Sequence, residues 1–247
     1  KENFKNIAKK FEEVLQKNAS GWLTPISTEN GERPGSADVI FIPYVERMNA
    51  SLAYYKGYAL REEHPFINIW LKNLEQLDEY RGTQGDFHTH AHDLPPQMGG
   101  CFTNSNSTQQ SFAHKIDIGY GLGHLELTDL KVDKKSEKKF EAIALGRVIK
   151  HKNRIIEVSP MKNKLFDQPL RAALTSMIFK ESCAPDKRSA SALRYLIDRI
   201  SVPRDMPLLS GRLLRQSLER TANIDGSDLG IKIPTRNRLD QNPIQFN

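Results

Sequence analysis

Apolar residues recur at helical spacing along much of the chain, in stretches set apart by Gly- and Pro-rich breaks. The opening stretch places Phe4, Ile7, Ala8, Phe11, Val14 and Leu15 on one face with Lys and Glu opposite, which predicts an amphipathic helix. Gly21, Pro25, Gly31, Pro34 and Gly35 then break the pattern. A second helix follows with Ala37, Phe41, Tyr44, Val45, Met48 and Leu52 inward. Asp38 stands three residues after Gly35, where a carboxylate reaches the helix's first free N–H groups. Pro65 opens a third helix whose stripe is Phe66, Trp70, Leu74 and Leu77, with Ile67 and Leu71 beside it. Three amphipathic helices with no strand pattern between them predict an all-α bundle over residues 1–82.

Between residues 83 and 131 the period dissolves into Gly, Pro, Asn, Ser and Thr, and the expectation is a long loop or linker. Helical spacing resumes with Phe140, Ile143, Ala144 and Val148. It continues in Leu170, Ala173, Leu174, Met177 and Ile178, then in Leu193, Leu196, Ile197 and Ile200, ended by Pro203. A last helix is expected over 207–221. Residues 132–222 therefore read as a second helical unit. Residues 223–247, with no period and few apolar positions, read as an extended tail docked on the bundle or on a partner.

Composition narrows the class. No run approaches the roughly 20 apolar residues that cross a bilayer, and no charged leader precedes an apolar stretch. Cys101 and Cys183 are the only cysteines and form no CxxC, which fits a reducing compartment and provides no thiolate zinc site. The net charge is +6 over 247 residues, and it is localised. Lys131, Lys134, Lys135, Lys138, Lys139, Arg147, Lys150, Lys152 and Arg154 face only Asp133, Glu137 and Glu141 in the same segment, an excess as large as the whole chain's. Lys134, Lys135, Lys138, Lys139, Arg147 and Lys150 are the candidate partner-binding residues, able to steer the protein onto an acidic partner or an anionic membrane surface. The alternative is an ordinary solvated helix face. No aromatic stacking platform interleaves with the charges, so nucleic acid is not expected.

His88, His90 and His92 are the candidate metal ligands. In an extended segment alternate residues point the same way, and three imidazoles with a water make a catalytic zinc shell, with Asp86 or Asp93 orienting a ring. The alternative is a polar loop closed by the Leu94-Pro-Pro96 turn, and no cofactor is expected in the chain. Gly119-Tyr-Gly-Leu-Gly123 lacks a preceding strand and a Lys-Ser/Thr ending, so it reads as a turn, not a phosphate cradle. Arg194, Arg199, Arg204, Arg212, Arg215 and Arg220 crowd the last helices, and pairing within the chain to Asp198, Asp205 and Glu219 is expected over an external anion.

Two helices also carry a resemblance. Gly31-Glu-Arg-Pro-Gly-Ser-Ala-Asp-Val39, followed by Ile-Phe-Ile-Pro-Tyr-Val-Glu-Arg47, resembles the capped core helix of the glutathione transferase C-terminal domain. In that family a Ser or Thr usually stands three residues before the Asp; here the position is Gly35. Val45-Glu-Arg-Met-Asn-Ala-Ser-Leu-Ala-Tyr-Tyr-Lys-Gly57, the segment from Asp86 to Cys101 and Ile200-Ser-Val-Pro-Arg-Asp-Met206 are similar to a divergent plant and algal group of such proteins. The resemblance implies a helical bundle, a plastid location, and glutathione chemistry only where an N-terminal thioredoxin-like domain supplies the thiol site. No such domain precedes the first helix in this sequence. The expectation is thus a non-catalytic interaction or scaffold module, attached to a larger plastid assembly through the basic face and the tail, with peripheral membrane contact open. The alternative is a glutathione transferase completed by that domain.

Overall fold

The second helix begins where Asp38 fixes it. Its buried carboxylate accepts from the backbone N–H of Leu23 (2.8 Å), Thr24 (3.0 Å) and Gly35 (3.0 Å) and from the Trp70 indole (2.7 Å). The hydroxyl that the Gly35 cap lacks comes from elsewhere: Thr24 Oγ1 accepts from Ala37 N at 3.2 Å. A Cβ on residue 35 would run into the Thr24 carbonyl, so glycine and the remote cap require one another.

The computed structural model describes residues 2–128, 134–161 and 163–226. Among them are eleven α-helices and one two-stranded antiparallel ribbon, β1 (Ile26–Thr28) and β2 (Gly31–Arg33), confirming the all-α class. The first helices are α1 (Glu2–Lys17), α2 (Ser36–Lys56), α3 (Leu60–Glu63), α4 (Pro65–Glu75) and α5 (Asp78–Thr83). Leu15, Trp22, Val45, Leu60, Ile67, Trp70, Leu71, Leu74 and Tyr80 form their core. The start of α4 is also capped from a distance, since Glu12 of α1 accepts from Phe66 N at 2.9 Å and meets His64 Nδ1 at 3.1 Å.

The segment expected to be a loop is helical instead. It holds α6 (Phe87–Met98), α7 (Ser107–Asp117) and a 3-10 turn, Gly123–Leu125. Both helices pack on α2, and Ala50, Ala53, Tyr54, Tyr55, Phe87, Ala91, Leu94, Ala113, Ile116, Leu122 and Leu125 make a second core. Polar N-caps start them: Asp86 accepts from Thr89 N (2.9 Å) and Asn106 from Gln109 N (2.8 Å). Pro95 sits inside α6 and cannot donate to the Ala91 carbonyl four residues back. The Tyr55 hydroxyl takes that carbonyl instead, at 2.7 Å. This is why a helix persists through a stretch that reads as a Pro-Pro turn.

A third core belongs to α8 (Lys134–Val158), α9 (Asp167–Phe179), α10 (Ala190–Arg199) and α11 (Leu208–Asp225). The last of these is central and touches the other three. Its small residues let them close in. Ser210 donates to Phe140 O (2.9 Å), Ser217 donates to Ala173 O (2.7 Å), and a Cβ on Gly211 would press against Val202. Residues 223–225 end α11 and Gly226 caps it; the rest of the expected docked tail lies outside the described residues.

Candidate functional site

The residues with the most unusual chemistry lie where α6 meets α10 and α11. Asp86, the α6 cap, forms a buried ion pair with Arg215 of α11. Arg215 also donates to Ile200 O (2.7 Å), Ile197 O (3.3 Å) and Thr89 Oγ1 (3.3 Å), and Thr89 Oγ1 accepts from Val202 N (3.0 Å). These bonds clasp the α6 region to the last two helices. Burial raises the Asp86 pKa, but the Arg215 charge and the bonds from Thr89 outweigh it and hold the carboxyl far below its ordinary range.

Further along α6, the His88 and His92 rings lie tilted against one another with centroids 4.5 Å apart. His92 Nε2 lies 3.0 Å from Asp117 Oδ1, to which the Tyr54 hydroxyl also donates at 2.9 Å. His88 Nε2 lies 3.3 Å from Asp198 Oδ1 of α10, off line for a hydrogen bond, and its Nδ1 is likewise unbonded. Burial, then the nearby Arg215 charge, lowers the His88 pKa well below the ordinary value, so the ring is neutral.

This geometry corrects the expected histidine cluster. Alternation along a strand would converge His88, His90 and His92, but α6 has a 3.6-residue period, which pairs positions 88 and 92 and turns 90 away. His90 packs against Gly85, where a Cβ would collide with its ring, with Glu46 Oε1 3.6 Å from its Nε2. The third donor near His88 and His92 is Asp198, and the three offer one ligand atom each within 4.8 Å. Those are the residues able to hold a small divalent cation. The His-x-x-x-His spacing is present in the sequence, but Pro95 and Pro96 mask the helix that gives it meaning, and Asp198 is more than a hundred residues distant.

The basic segment is retained as a surface. Lys134, Lys135, Lys138, Lys139, Arg147 and Lys150 all lie exposed on α8. Its acids are withdrawn: Glu137 and Glu141 both pair with Lys180, at the C-terminal cap of α9. The crowded arginines do pair within the chain, two of them with the expected Glu219 and Asp205 and two with acids from other elements. Arg194 binds Glu219 (3.0 Å), Arg204 binds Asp205 (3.0 Å), Arg212 binds Glu126 (2.6 Å) and Arg215 binds Asp86. Gly119, Gly121 and Gly123 all adopt positive φ and form a turn against α11, where a Cβ on Gly119 would meet Arg215.

Phe41 and Tyr44, expected inward, are 43% and 66% exposed, and Val39 and Ile40 beside them are 59% and 61% exposed. With Pro43 they make an apolar stripe at three- and four-residue spacing on the face of α2 away from its own core. A helix apolar on both faces normally has both covered. Phe41 stands edge-on to Phe11 at 5.5 Å, and α1 adds exposed Ile7 and Val14.

No family model, curated protein or solved structure matches this chain. Among the described residues no helix is long and apolar enough to cross a membrane.

Proposed function

We propose that the chain is a non-catalytic helical interaction module that seats another folded protein domain on the outer face of α2. The observation that carries this is the stripe of Val39, Ile40, Pro43 and Tyr44, which has core composition and no cover from the described residues. Apolar burial would supply affinity, and the exposed cations of α8 would steer the approach of an acidic partner. The assembly this module joins is a plastid one if the resemblance to plant and algal glutathione-transferase-like proteins extends to location.

A second reading rests on the same stripe. If its occupant is a thioredoxin-like domain, the pair is a glutathione transferase in which this chain contributes only one wall of the electrophile pocket.

The test is the native size of the protein in extracts of its source, for the natural chain and for Ile40→Glu/Tyr44→Glu. The module reading expects the natural protein to migrate in an assembly much larger than one chain, and the double variant to run free while unfolding at the same temperature. Migration of both at single-chain size would refute it. Retention on immobilised glutathione, lost together with the assembly, would select the transferase reading.

A further inference from the structure

Away from α2, the third core opens into a pocket of about 330 Å³, at the small end of the roughly 300–1,000 Å³ typical of ligand sites. Its floor is apolar: Val148, Phe166, Leu196, Ile200, Met206 and Leu214 are all buried there. Its rim is basic. Arg147, His151 and Arg154 follow one another at spacings of four and three, a single stripe of α8, and Arg199 and Arg204 stand across from them.

The partners of these side chains decide what the pocket suits. Arg154 is held by Glu157 at 2.8 Å and Arg204 by Asp205 at 3.0 Å, with Asp93 acting on Arg204 from further off. The Arg199 guanidinium lies 4.4 Å over the Tyr195 ring, which fixes its plane at the rim. Arg147 and His151 have no ion-pair partner among the described residues. A closed apolar floor beneath a positive rim matches a ligand with the reverse polarity, an apolar body ending in an anionic head.

We infer that this pocket binds a free alkyl-chain carboxylate, with the chain on the Phe166–Leu196–Leu214 floor and the head between Arg147 and His151. The carboxylate would take charge-assisted hydrogen bonds from the Arg147 fork, for which its two oxygens are shaped. The site is separate from the α2 stripe, and its occupancy does not depend on the interaction reading.

The experiment is displacement of dansyl-labelled undecanoate from the purified whole chain by dodecanoate, dodecanol and butyrate. Dodecanoate is expected to displace the probe, with dodecanol and butyrate each weaker by about tenfold or more, since one lacks the charged hydrogen bonds and the other the apolar body. Arg147→Glu, an exposed change, is expected to weaken dodecanoate by a similar factor, about tenfold or more, while Lys134→Glu on the same helix leaves it unchanged. Equal displacement by dodecanol and dodecanoate, or an affinity indifferent to Arg147→Glu, would overturn the proposal. So would binding to phosphatidylglycerol vesicles without binding of free dodecanoate, which would assign the cations to a lipid surface instead.

Discussion

Arg215 and Asp86 show how much one buried pair can fix. Removing the guanidinium leaves Asp86 a buried charge without its counter-ion and frees the carbonyls of Ile197 and Ile200. Arg215→Met should therefore cost about 3–5 kcal/mol in chemical denaturation. Acid should act on the same place. The folded pKa values of Asp86 and His88 are both lowered, so the unfolded chain binds more protons as pH falls. The His88 contribution is complete above about pH 6.5 and declines below it; that of Asp86 is complete above about pH 4 and is lost as pH falls through its folded value. The melting temperature should drop from about pH 6.5 downward, and His88→Gln should flatten the upper part of that fall. A slope unchanged by the substitution would mean that other groups set it. Of this centre, the candidate residues His88 and His92 were legible in the sequence. Asp198 and Asp117 were not, because only packing brings α10 and α7 beside α6.

The elements were legible in proportion to how locally they are stabilised. The stripes of α4, α9 and α10 carry their own apolar periodicity, and their positions follow from it. By contrast α2 and α4 begin on caps supplied by Thr24 and Glu12, and α6 crosses Pro95 with help from Tyr55. No local pattern announces such help, which is why residues 83–131 read as a loop. The dependence can be measured by unfolding. Tyr55→Phe should destabilise by about 1 kcal/mol or somewhat more, as it orphans the Ala91 carbonyl. Gly35→Ala should be severely destabilising because the Cβ meets the Thr24 backbone. Gly82→Ala in α5, with open space around it, should be neutral or stabilising by up to about 1 kcal/mol.

At the scale of the molecule, the described residues present surfaces and a pocket that the cores do not account for. The basic face of α8 was visible in the sequence as a charge run, and folding sharpens it by drawing Glu137 and Glu141 to Lys180. If that face steers association, raising the salt from low to well above physiological should slow complex formation markedly, since exposed charges are screened within about 8 Å at 0.15 M. On α2, Phe41 and Tyr44 read as core because their residue types are core types, yet among the described residues the stripe that Tyr44 shares with Val39, Ile40 and Pro43 is left uncovered. Whether a partner covers it is the central question, and footprinting answers it most directly. Photochemical carbene labelling of the protein in native extract, compared with the isolated chain, should modify Phe41 and Tyr44 in the isolated chain and spare them in the extract, with Phe102 and Phe179 labelled alike in both. Equal labelling of Phe41 and Tyr44 in the two samples would contradict the interaction module.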